Sequence, residues 1–174
     1  MPARFDRLLR ANRGTASVEF AMISSVLLLM FIGTQDIVFM VNMKRDVDRA
    51  SVVIARAMST CQNSSCMSDF IDSYITRRAN TLVRYQRATI DMYMLQKSGG
   101  SIRVCSGTKT AMTDTDVLSS AGTIMRDGDI GAAVIITSTY SSVLPNFVKT
   151  YINRSGVTYR GYAIDVMTNA SAIC

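Results

Sequence analysis

The residue whose chemistry is hardest to place in this chain is Glu19, the single glutamate among 174 residues, which stands directly before an uncharged run at residues 20–35. A carboxylate where an apolar helix begins is costly to desolvate unless a cation meets it, so it reads as a functional demand. Four arginines, Arg4, Arg7, Arg10 and Arg13, precede it and are opposed by Asp6 alone. The second reactive set is thiol: Cys61, Cys66, Cys105 and Cys174 all follow the apolar run. An even number of cysteines on that side favours two disulfides if the side is exported. Histidine and tryptophan are absent, which removes the commonest general base and the commonest nitrogen ligand for a metal.

These groups need an element to hold them. After Asp36 the apolar character resumes through Ile37, Val38, Phe39, Met40 and Val41. A helix of about 20 residues spans the hydrocarbon at 1.5 Å per residue, and residues 20–41 meet that length with Asp36 near the outer boundary. The arginines keep the amino terminus in the cytoplasm and send the remainder outside, which makes a single-pass segment. A cleavable secretory signal shares the basic start and apolar core. It ends in a small-residue site, and no Ala-x-Ala pattern occurs around residues 30–43. A plain uncleaved anchor fits the same features.

The net charge of +6 does not point to nucleic acid. Residues 1–14 carry half of it, and beyond them Asp and Arg are interleaved rather than gathered into a basic patch.

The stretch Arg13-Gly14-Thr15-Ala16-Ser17-Val18-Glu19-Phe20 resembles the class III signal of type IV pilins. Its Gly-Thr-Ala-Ser-Val-Glu-Phe form is especially similar to the TadE/TadF family of minor pilins, or pseudopilins, of the tight-adherence (Flp) pilus. The resemblance implies that a membrane prepilin peptidase cuts on the cytoplasmic side between Gly14 and Thr15 and leaves the apolar helix attached. It further implies that Glu19, with Phe20 beside it, serves assembly by neutralising the freed amino terminus of a neighbouring subunit or its own. Glycine before the scissile bond lets the backbone extend into a protease cleft, and the arginines hold that bond at the membrane surface. Spacing alone says only that Thr15 and Glu19 share one helical face. The partners implied are the prepilin peptidase, other pilin and minor pilin subunits and the Tad inner-membrane assembly platform. The location implied is the inner membrane with a periplasmic carboxyl-terminal part, or an extracellular pilus.

The expected organisation is a leader at 1–14, a transmembrane and stalk helix at 15–58 and an exported domain at 59–174. Val47, Ala50, Ile54 and Ala57 recur at intervals of three and four, so the helix continues outward as an amphipathic stalk whose charged face is solvated. Residues 60–66 read as a break closed by a local Cys61–Cys66 disulfide. Met67, Phe70, Ile71, Tyr74, Ile75, Leu82 and Val83 predict a second helix over 67–83. Alternation in residues 90–95 and 102–105 around Lys97-Ser98-Gly99-Gly100 predicts a hairpin. Residues 107–129 read as a loop with at most one helical turn, 130–143 as a long strand, 145–154 as a short helix begun by proline, and 157–168 as a final strand. The fold class is α+β, an antiparallel sheet of about four strands packed on helices. Pairing Cys105 with Cys174 ties the carboxyl terminus to the hairpin, one of three connectivities four cysteines allow.

No metal or other cofactor is expected. The cysteines lack Cys-x-x-Cys spacing, and Asp114, Asp116, Asp127 and Asp129 lack the calcium-loop order, so they read as turn formers. The twelve methionines read as packing, and no function is attached to the Asn-x-Ser triplets at Asn63, Asn153 and Asn169. Neither Gly-x-Ser-x-Gly nor a phosphate-cradling loop occurs, so the chain is not read as an enzyme. A membrane-anchored periplasmic enzyme or binding module unrelated to pili is the alternative.

Overall fold

The structure is a computed structural model. It describes residues 3–61, 64–77, 88–140, 142 and 156–167, with side chains at 16–61, 65–73, 88–140, 142 and 156–167. Helix α1 runs over Ala3–Ser59. It has no proline, and two hydroxyl residues of its apolar run bond back within it. Ser25 Oγ donates to Met22 O at 2.7 Å and Thr34 Oγ1 to Phe31 O at 2.8 Å, so neither side chain presents an unmet donor to an apolar environment.

The chain divides into two compact units, one of Met1–Phe39 with Ser142–Asn153, the other of Met40–Ser141 with Arg154–Cys174. In the second, α1 buries Val47, Ala50 and Ile54 of the predicted stripe together with Met43 and Met58, whereas Ala57 is half-buried. Helix α2, Ser64–Arg77, begins earlier than expected, and the part expected beyond Arg77 lies outside the described residues. The break between α1 and α2 is closed by the Cys61–Cys66 disulfide, with its Cα atoms 5.5 Å apart.

Strands β1 (Ala88–Ser98), β2 (Ser101–Gly107), β3 (Ile130–Tyr140) and β4 (Val157–Val166) form one antiparallel sheet in the order β2-β1-β3-β4. Gly99 and Gly100 join β1 to β2 with φ of 59° and 78°, the positive pair that a two-residue hairpin of matching twist requires. The register slips between Met94 and Leu95, opposite Cys105. Met92, Tyr93, Met94 and Leu95 are buried in succession, so this sheet is covered on both faces rather than one.

The chain between β2 and β3 departs from expectation. Thr115–Ile124 is a ten-residue helix, α3, within the stretch read as a loop. Asp114 caps its amino end by accepting from Val117 N, and the Lys97 ammonium caps its carboxyl end by donating to Gly122 O at 2.6 Å and Met125 O at 2.9 Å. Val117, Ala121 and Met125, spaced by four, pack on Tyr93, Leu95, Ala133 and Ile135. Ile136 and Gly161, paired across β3 and β4, lie on the opposite face under α1 at Val47 and Asp48. Ser59 at the end of α1 donates to the Asp165 carboxylate at 2.6 Å, a second tie between α1 and β4. The short helix expected at 145–154 lies outside the described residues.

Candidate functional site

In the unit containing Met1–Phe39, α1 has no apolar stripe and buried opposite face. Phe20 is 72% exposed, and Met22, Ile23, Val26, Leu28, Leu29 and Phe31 are exposed on opposite sides of the helix. Such a helix is matched to an apolar surrounding on every side. Among the described residues, one helical stretch, Ala16–Ser59, is long and apolar enough to cross a membrane, and none of its apolar window is buried.

Glu19 is exposed near the start of this stretch. Thr15 lies four residues earlier in α1, one helical turn away, so an amino group created at Thr15 would begin the turn on which Glu19 stands. Gly14 and Thr15 are helical in backbone, and their side chains lie outside the described set. The helix thus groups Gly14, Thr15, Glu19 and Phe20 within two turns and leaves the carboxylate open to a second molecule.

Asp36 behaves differently. Its side chain is 4% exposed although Ile37 and Val38 beside it are exposed, and it accepts a hydrogen bond at 2.8 Å from Ser142 Oγ of the same unit. A hydroxyl donor meets part of the desolvation cost that a carboxylate in an apolar run otherwise bears. Sequence reading placed Asp36 near a membrane boundary and gave no sign of Ser142, 106 positions away.

In the second unit the remaining candidates separate. Cys61 and Cys66 are joined as expected. Cys105 is also disulfide-bonded. Cys174 lies outside the described residues. The four aspartates weighed as calcium ligands turn inward to their own loops or to a cation. Asp114 pairs with Arg160 Nη2 while Asp116 lies 3.6 Å from Arg160 Nη1. Asp127 accepts from Gly100 N at 3.0 Å and Asp129 from Arg126 N at 2.8 Å.

A cleft of about 340 Å³ opens along residues 104–110 at the edge strand. Its one charged residue, Lys109, is paired with Asp91 at 2.6 Å, and that hydrogen bond raises the ammonium pKa above its ordinary value. Nearby Tyr93 is also raised, chiefly by burial and then by the Asp91 charge. Both groups are thereby held in their protonated forms at neutral pH, and neither is poised as a base.

The arrangement that stands out is therefore the amino-terminal one: an exposed carboxylate one turn after a Gly-Thr bond, at the head of a helix apolar all round. Residues 14–56 match the family model described as TadE-like protein. The matched segment is similar to TadE-like proteins and makes up about a quarter of the chain. The match opens on Gly14, takes in Thr15, Glu19 and Phe20, and ends at Arg56 within α1, so it agrees with the resemblance carried by Gly14 to Phe20. No curated protein and no solved structure matches the chain. The sheet and helices α2 and α3 lie beyond the matched segment.

Proposed function

We propose that the chain is a minor pilin, or pseudopilin, that acts in assembly of a Tad/Flp pilus for surface adhesion. The observation that carries the reading is a family match that begins at Gly14 and continues through the exposed Glu19 into a membrane-length helix. Arg4, Arg7, Arg10 and Arg13 hold the leader at the cytoplasmic face of the inner membrane, α1 crosses once, and the sheet unit is exported. A prepilin peptidase cuts after Gly14 and removes three of the six net positive charges with residues 1–14.

The new α-amino group at Thr15 titrates near pH 8 in model peptides, so it is mainly cationic at neutral pH. Inside the bilayer an unpaired ammonium and an unpaired carboxylate each disfavour burial, whereas together they neutralise one another. Glu19 supplies that counter-charge to a neighbouring pilin or minor-pilin subunit as the helices gather at the assembly platform. The exported cysteines fit the reading, since an oxidising compartment preserves Cys61–Cys66 and a second bridge from Cys105 to Cys174. The role is structural, with no reaction assigned to the chain itself.

Processing and assembly are separable by substitution. In cells making the pilus, Gly14→Ala leaves a full-length precursor in the membrane, whereas Glu19→Ala is shortened normally and enters assemblies poorly. Immunoblots of membrane and sheared-filament fractions read both. Glu19→Ala recovered from filaments at the wild-type level contradicts the charge-pairing role.

A further inference from the structure

The sheet unit exposes two faces of opposite charge. On α1, Arg45, Arg49, Val52 and Arg56 follow one another at intervals of four, three and four. All four are exposed, on the side of the helix opposite the buried Val47, Ala50 and Ile54, so they point away from the sheet. The three arginines make no ion pair among the described residues. Residues 40–59 carry four cations, Lys44 and these arginines, against Asp46 and Asp48, a net of +2. Val52 and Val53, 55% and 50% exposed, give the face an apolar centre.

Helix α3 covers the other face of the sheet, and there the sign reverses. Residues 110–129 hold four aspartates, Asp114, Asp116, Asp127 and Asp129, against Arg126 alone, a net of −3. Asp116 stays 74% exposed although Arg160 lies 3.6 Å away. An apolar pair occurs here too. Tyr162 of β4 reaches α3 with its hydroxyl 3.1 Å from Ser120 Oγ, and Ile124 follows Ser120 by one helical turn. They are 41% and 57% exposed. Among the described residues of this unit, the exposed large apolar side chains are Val41 and these two pairs, so exposed apolar surface coincides with the two charged faces.

We propose that the faces meet between copies of this chain: the α1 face of one sheet unit docks on the α3 face of the next, arginines against aspartates and the valine pair against Ile124 and Tyr162. Opposite charge selects this pairing over α1 on α1 or α3 on α3. Because the two faces lie on opposite sides of one sheet, a dimer still presents one free face of each kind. The contact is therefore heterologous and adds further copies head to tail. It extends the proposed assembly role by naming surfaces, and it uses neither Gly14 nor Glu19, so either account can fail alone.

Sedimentation velocity of the full chain in detergent at low salt, over a range of protein concentration, tests the pairing. Species larger than a dimer should grow with concentration and disperse at about 1 M salt, where the screening length falls to about 3 Å. Arg45→Glu with Arg49→Glu, or Asp116→Lys with Thr123→Lys, should weaken association at least about tenfold, because attractions between exposed charges become repulsions. The two variants mixed together should assemble again, since each now supplies the face that matches the other, a recovery that misfolding cannot produce. Glu19→Ala should assemble like the wild type. A wild type or a mixture that stays monomeric overturns the inference and leaves the Gly14 and Glu19 reading standing. Association lost in the α1 variant but kept in the α3 variant overturns it in favour of another surface opposite the arginines. Association lost in Glu19→Ala alone assigns the contact to the apolar part of α1 and overturns it as well.

Discussion

Gly161 tests the docking of α1 on the sheet because the space for its side chain is already taken. A Cβ added there would stand 2.9 Å from Asp48 Oδ1, 2.9 Å from Val47 Cγ1 and 3.3 Å from Asp48 N. The exposed Asp48 side chain can swing away, but Val47 is fully buried and the helix backbone is held by its own ladder. Gly161→Ala therefore forces α1 from the sheet by a few tenths of an ångström, an overpacking cost of about 1–3 kcal/mol. For a chain of this size that lowers Tm by about 2 to 12 °C. Gly122→Ala provides the opposite sign, since nothing lies within 4 Å of its Cβ position and it sits inside α3. There alanine adds up to about 1 kcal/mol of helix preference. Thermal unfolding of both variants in the same detergent, followed by circular dichroism, reads the two shifts. A Gly161→Ala protein that melts with the wild type, or both variants moving in one direction, refutes the packing argument.

Alkaline titration and thiol mapping probe the sheet unit. Tyr93 and Lys109 both have folded pKa values above their ordinary 10.0 and 10.5, so the native state keeps protons that the unfolded chain releases. Stability from them is complete below about pH 10 and falls as pH rises through the folded values. Urea midpoints measured across that range should decline less steeply in Asp91→Asn, which removes a cause of both shifts; an unchanged slope in that variant counts against the assignment. For the cysteines, reduction should raise the intact mass by two hydrogens for each of two bridges, and alkylation without reduction should label nothing. Labelling confined to Cys105 and Cys174 would contradict the second bridge while leaving the first.

Helix α1 was readable in the sequence because two strong signals coincide there, an unbroken apolar run and a lone glutamate at its edge. Its stalk was readable from the Val47, Ala50 and Ile54 spacing, and the local disulfide from the short interval between Cys61 and Cys66. Helix α3 was hidden by composition: Gly, Ser and Thr dominate its stretch, and only three apolar residues mark its buried face. Its ends are held by Asp114, which reads equally as a turn former, and by Lys97 from a distant strand. The two-sided burial of β1 is not legible in the sequence, since Asp91 alternates with Met92 in a strand that α1 and α3 cover on both faces. At the candidate site, Gly14, Thr15, Glu19 and Phe20 were legible because they are contiguous. The Ser142 partner of Asp36 was not, because a serine carries no periodic signal and the pairing exists only after the sheet has brought the chain back.

The whole account turns on how the mature chain begins. Amino-terminal sequencing and intact mass of the membrane-extracted protein, from cells containing the prepilin peptidase, should find Thr15 as the first residue. Native protein that still starts at Met1 in cells bearing the pili contradicts the account.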